Sequence, residues 1–184
     1  YLRNDGNGKF TLSTLPAEAQ VSVLNGMVVD DFDSDGNLDI VINGNDYGTE
    51  VSVGRYDALN GLFLKGDGKG GFTPLSILQS GIYLPGNGKA LVKLNNGKGH
   101  TLLAASENRG PLKIYENKQT QKMITVGVAD MIALIKLKNG ATRRQELYYG
   151  SSFLSQSTRS INVGPMVESV EIIDQKKNKR KIVN

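Results

Sequence analysis

The densest chemistry in this sequence lies in nine residues, Asp31-Phe32-Asp33-Ser34-Asp35-Gly36-Asn37-Leu38-Asp39. Carboxylates stand at loop positions 1, 3, 5 and 9, and glycine stands at position 6. Alternation over Asp31, Asp33 and Asp35 lets three side chains converge as the chain curls. Gly36 permits the bend, the carbonyl of Asn37 turns inward, and Asp39 closes the shell. Hard oxygen donors at this density suit Ca2+, which takes about 6–8 oxygen ligands. Without a cation the four carboxylates repel one another. The first half of the pattern matches an EF-hand loop and the second does not. Position 12 is Ile42 rather than glutamate, and Met27-Val28-Val29 and Ile40-Val41-Ile42 on either side read as strands rather than helices. No histidine stands near the loop, so the expected metal is structural rather than catalytic. Asp30, just before the loop, reads as a strand-end residue pointing outward.

The elements that must hold such a loop are short strands. The 184 residues include 22 glycines, and apolar runs are broken at close intervals by Gly, Asn and Asp. No helical period is sustained for three turns. There is no cysteine, which excludes a disulfide framework, thiolate metal sites and a cysteine nucleophile. Tyr1–Thr11 recurs as Leu62–Thr73: an apolar strand, a Gly-rich turn and Phe-Thr opening the next strand. This is a hairpin signature. Leu112–Asn117 is a weaker third echo without the turn. Further strands are expected at Gly26–Asp30, Leu38–Asn43, Ala90–Leu94 and Thr101–Ser106.

These hairpins and the D-x-D-x-D-G-x-x-D loop resemble the FG-GAP/VCBS repeats of β-propellers over residues 1–117. The resemblance implies propeller-like blades, with Ca2+ held by Asp31, Asp33, Asp35, Asn37 and Asp39 in a turn between two strands. A blade of about 40–50 residues leaves room for roughly two here, whereas a closed propeller needs at least four. Missing blades or an oligomer would then cover the open sheet edges.

An inserted polar stretch follows, Gly44–Glu50 and Gly54–Gly61, carrying Asp46, Glu50, Arg55 and Asp57. One reading makes these four a ligand-facing loop, since insertions on rigid scaffolds often carry binding. The other pairs Arg55 with a carboxylate over a packed Tyr56. A glycosidase pair would need two carboxyls about 5–9.5 Å apart across a cleft, and nothing in the spacing specifies that. His100, the single histidine, reads as an exposed turn residue. No nucleophile, phosphate-binding or dinucleotide motif is present.

Residues 118–122 read as a polar linker. Beyond them Ile132–Lys138 and Thr142–Tyr149 flank Asn139-Gly140, the strongest short hairpin signal, followed by strands at Ser160–Val163 and Val167–Ile173. Arg144-Gln145-Glu146-Leu147, Gly150–Gln156 and Val170-Glu171-Ile172 resemble, in order, the ASPIC/UnbV domain that commonly follows FG-GAP/VCBS repeats, placing a small β domain at 123–184. Two family segments are replaced, by Val163-Gly164-Pro165-Met166 and Ile173-Asp174-Gln175-Lys176. Ser155-Gln156-Ser157 reads as a structural strand end.

The net charge is +4, but without Lys176, Lys177, Lys179, Arg180 and Lys181 it becomes −1. That cluster reads as a solvated strand–turn–strand edge with no specific nucleic-acid partner, because no aromatic groups interleave with it. The whole is expected to be mainly β: partial propeller-like blades followed by a small β domain. The expected role is a non-catalytic, calcium-stabilised binding module for a glycan or protein, extracellular, periplasmic or on the cell surface. Two alternatives stand beside it. One is a secreted polysaccharide-acting hydrolase or lyase with its active site on missing blades. The other is polyanion binding through the basic segment.

Overall fold

A computed structural model describes residues 1–183. It is mainly β, with 51% of residues in strands and 4% helical, arranged as several antiparallel sheets without a closed barrel. The first hairpin pairs β1 (Leu2–Gly6) with β2 (Lys9–Leu12). It is exposed along its length and touches the body through the Tyr1 ring, edge-on to Phe72 at 5.7 Å.

Next come two meanders. Strands β3 (Leu24–Asp30), β4 (Asp39–Gly44), β5 (Leu62–Gly66) and β6 (Phe72–Leu75) pair in chain order. A short helix, α1 (Ile77–Ser80), opens on a capping box formed by Ser76 and Gln79. It leads to the three-stranded sheet of β7 (Gly88–Asn95), β8 (His100–Glu107) and β9 (Lys113–Thr120). The strands expected at Gly26–Asp30, Leu38–Asn43, Ala90–Leu94 and Thr101–Ser106 thus form, each within one or two residues of its sequence boundaries.

β4 is buried at every position because both of its faces are covered. Val41 joins Val28 and Phe63 against Leu91, Leu103 and Ala105 of the second meander. Ile40 and Ile42 face the other way, with Leu62 and Leu64, beneath Ala19 and Leu59. This explains why β4 reads as a continuous apolar run rather than an alternating one. β3 and β7 lie side by side, and Gly26 allows it: a Cβ there would stand 2.7 Å from Leu91 Cβ and 2.3 Å from Asn43 Oδ1.

The C-terminal unit has its own core. β10 (Lys122–Thr125) pairs with β13 (Ser160–Val163). β12 (Thr142–Glu146), β11 (Asp130–Leu137), β14 (Val167–Asp174) and β15 (Lys179–Val183) form a four-stranded sheet in that spatial order. Ile124, Ile135, Ile161, Val167, Val170 and Ile172 pack between the two sheets. Gly140, at φ 86°, closes the expected Asn-Gly hairpin between β11 and β12. Among the described residues, no buried apolar cluster combines side chains from before and after residue 121.

Residues 118–122 are not a free linker. They complete β9 and begin β10, and Gln121 between them is 5% exposed. Asn184, the end of the domain read from sequence, lies outside the described residues. The basic cluster sits where expected: Lys176 and Lys177 in the β14–β15 turn, and Lys179, Arg180 and Lys181 on edge strand β15. Two of these charges are engaged rather than simply solvated. Lys179 meets Glu171 at 3.0 Å, and Arg180 meets the buried Asp130 at 2.6 Å.

Candidate metal centre

The acidic loop joins β3 to β4, as its flanking apolar triplets require. Its curl is held by the carboxylates accepting from backbone amides. Asp31 Oδ2 accepts from Gly36 N at 3.0 Å, Asp33 Oδ1 from Asp35 N at 3.1 Å, and Asp35 Oδ1 from Asn37 N at 2.8 Å. Asp39 spans the base, with Oδ2 accepting from Phe32 N at 3.1 Å and Oδ1 from Gly66 N at 2.9 Å. Gly36 takes φ 95°, and a Cβ there would press to 3.2 Å from Met166 Cβ. Asx-type turns thus point the loop's amides at its own carboxylates.

Asp31, Asp33 and Asp39 each offer a carboxylate oxygen within 4.8 Å of the others. Asp35 stands outside that tight group. Its carboxylate and that of Asp33 share the ammonium of Lys65, which contacts Asp33 and lies 3.2 Å from Asp35 Oδ2. Arg143, reaching in from β12, is 3.8 Å from Asp31 Oδ2. Two cations against four carboxylates leave the loop net negative, which favours a further cation. Asn37 belongs to the same curl through its amide.

Burial acts on these groups unequally. It pushes the Asp31 carboxyl up to about 6, although Arg143 and the Gly36 amide pull the other way. Burial likewise raises Asp39 against the amides of Gly66 and Phe32. At Asp35 burial is outweighed by the Asn37 amide and Lys65, so its carboxyl sits below the usual range. Lys65 holds its proton more tightly beside Asp33 and Asp35. Most telling is Asp31 Oδ1. The residue is 3% exposed, and this oxygen has no hydrogen-bond partner among the described residues. A buried carboxylate oxygen without a donor is costly, and a cation satisfies it. The donor set is all oxygen, as Ca2+ prefers.

Asp30 corrects its outward reading. It is 6% exposed, and its Oδ2 accepts from Lys93 Nζ at 2.7 Å and from Asn162 Nδ2 at 2.7 Å. Lys93 is the inward-facing residue two places after Leu91 on β7, with its side chain 8% exposed. A lysine at an inward position of a strand is the signal that could have identified it.

The Asp46–Tyr56 bridge brings the two stretches that carry Asp46, Glu50, Arg55 and Asp57 together. Asp46 and Tyr56 exchange backbone bonds of 2.9 Å in an isolated bridge, and the Asp46 carboxylate turns to its own Gly48 amide. Glu50 and Asp57 are exposed, and Arg55 stacks on Tyr47 at 4.7 Å. Tyr56, expected to pack beneath, is 47% exposed because Tyr47 takes that place. His100 opens β8 half-buried, its Nδ1 3.1 Å from the Asn117 carbonyl. In the 155–157 segment, Ser157 Oγ accepts from Lys93 N at 2.9 Å and Gln156 Nε2 donates to the Ser157 carbonyl at 2.7 Å.

A cleft of about 540 Å3 lies between β3 and β12, lined by Met27, Val29, Leu38, Arg144, Glu146 and Tyr148 among others. Its basic side chains are already engaged. Lys93 is bound to Asp30, Arg144 to Glu146 at 2.7 Å, and Arg159 to the carbonyls of Leu147, Gly127 and Asp130.

Comparison of the chain with protein-family models and with curated proteins finds no match.

Proposed function

We propose that this chain is a calcium-stabilised binding module built from FG-GAP/VCBS-like blades and an ASPIC/UnbV-like β domain, working outside the cytoplasm on a glycan or protein ligand. The observation that carries the reading is the buried, unpartnered Oδ1 of Asp31 beside Asp33 and Asp39. Asp31, Asp33 and Asp39 would hold the ion, joined by the Asn37 carbonyl and by Asp35 once Lys65 gives way. The Lys65 side chain is 42% exposed, so its ammonium reaches water at little cost. When bound, the ion supplies positive charge and a closed shell to the loop, and no step of chemistry is assigned to it.

The blade reading is supported by chain order. A four-stranded meander precedes a second meander whose first strand lies beside the first strand of its predecessor, as in radial β architectures. An extracellular, periplasmic or cell-surface setting follows from the ion, because modest-affinity calcium modules are filled where calcium is about 10⁻⁴–10⁻³ M.

The ligand class is tested by screening the chain on a glycan array with calcium and again after chelation. The expected result is a restricted set of bound glycans that disappears with EDTA. An array without signal in either state would remove glycans and leave a protein partner. Binding that survives chelation would separate ligand recognition from the metal.

A further inference from the structure

We propose that calcium in the acidic loop latches the C-terminal unit onto the meander unit, so that docking of the two halves is metal-dependent. This inference rests on the calcium reading above and adds a regulatory role to the same loop.

The loop is the seam between the halves. Gln121, at the joint, donates from Nε2 to the Asp31 carbonyl at 3.2 Å and to Ser34 Oγ at 2.6 Å. Arg143 of β12 donates to the Gly36 carbonyl at 2.9 Å. Met166 and Gly164, before β14, lie close to the loop: a Cβ on Gly36 would stand 3.2 Å from Met166 Cβ, and one on Gly164 3.4 Å from Ser34 Cβ. The polar contacts from Gln121 and Arg143 thus reach loop backbone carbonyls, one loop hydroxyl and the Asp31 carboxylate, all placed by the curl of the loop. An ion held by Asp31, Asp33 and Asp39 would tie these carboxylates together, stiffen the curl and so fix these acceptors.

Little apolar packing resists opening if they are lost. The buried apolar clusters stay on their own sides of the seam. Further hydrogen bonds cross it. Met27 N donates to Ser152 Oγ at 3.1 Å, Lys93 N to Ser157 Oγ at 2.9 Å, and Thr158 N to the Lys93 carbonyl at 2.8 Å. Asn162 reaches Asp30 at 2.7 Å. Water can replace such bonds at small net cost, and polar interfaces between domains are the ones that move. Linkage makes the coupling reciprocal: if calcium favours docking, docking raises calcium affinity by the same factor.

Hydrogen exchange on the full chain, with calcium and with EDTA, tests this. The amides of Met27, Lys93 and Thr158 bond across the seam and lie outside the loop. We expect them to exchange at least tenfold faster in EDTA, while amides of the β11–β14 pairing stay protected. Calorimetry with calcium chloride on the same sample separates the two ideas. Bound calcium with unchanged exchange at those amides overturns the latch and leaves the metal site standing. Absence of calcium binding removes both. Ser157→Ala provides the reciprocal arm, because Ser157 touches no loop residue. It should weaken calcium binding about fivefold, a coupling at the low end of the usual range. An affinity within about twofold of the unaltered chain's would also overturn the latch. The β11–β14 amides verify that the variant is folded.

Discussion

Truncating Lys93 to alanine is expected to destabilise the chain by about 3–5 kcal/mol, the usual cost of leaving a buried charge without its partner. Lys93 and Asp30 each expose 8% of their side chains and meet at 2.7 Å. Removing the ammonium leaves the Asp30 carboxylate with only the Asp31 amide and the Asn162 side chain as donors. The loss is large against a total stability of about 5–15 kcal/mol. Replacing both members, as Lys93→Met with Asp30→Asn, should recover much of it, because the pair itself contributes little net stability once desolvation is counted. Lys136→Ala is the comparison: its partner Glu168 is well exposed, with side-chain exposures of 50% and 44%, and about 0–1 kcal/mol is expected. Urea unfolding of the four proteins measures all of this. A Lys93→Ala cost below 1 kcal/mol would mean that Asp30 is not buried as an ionised group.

Asp39→Ala carries the second large effect. Asp39 is fully buried, and its two oxygens hold the Phe32 and Gly66 amides, which open the loop and close the neighbouring strand. Each buried amide left without an acceptor costs about 1–3 kcal/mol, so a loss of about 2–6 kcal/mol is expected in calcium-free buffer. Relief of the burial that raises this carboxyl's pKa works against the loss and places the result toward the lower half. Asp39→Asn keeps one acceptor oxygen and should fall between the alanine variant and the unaltered chain. Neither variant should regain stability on adding calcium, since a proposed ligand is gone. A neutral effect of Asp39→Ala without calcium would show that the two amides find other acceptors.

What the sequence made legible divides by the range of the interaction. The hairpins, the Asn139-Gly140 turn and the loop between β3 and β4 are local: Gly, Asn and Asp at fixed offsets dictate their own backbone. β4 was legible as a strand because its apolar run is continuous. That both its faces are covered depends on Leu91 and Leu103 on one side and Ala19 and Leu59 on the other, which no local pattern announces. The four aspartates were legible as a set, but their inequality was not. Lys65 comes from β5, some 30 positions on, and pairs with both Asp33 and Asp35, yet only Asp33 of the two stays in the tight group with Asp31 and Asp39. Asp30 was misread because its partner Lys93 arrives from the next meander. Gln121 hid inside a stretch whose polarity resembled a linker, although that polarity faces the loop it bonds. In the insertion at 44–61, the turn made by Asp46 and the stack of Arg55 on Tyr47 depend on side-chain directions that the spacing of charges does not reveal.

In the proposed function the loop binds one calcium ion and the folded chain depends on it. The most direct test is a thermal melt at rising calcium concentration, paired with titration calorimetry on the same protein. Binding to the folded form alone stabilises by about 2.7 kcal/mol at a hundredfold excess over Kd. For a chain of this size that corresponds to a rise of about 5–11 °C in Tm. One ion per chain is expected, with a Tm that climbs with the logarithm of free calcium and returns to its starting value in EDTA. A Tm that does not move between EDTA and millimolar calcium, with no heat of binding, would contradict it.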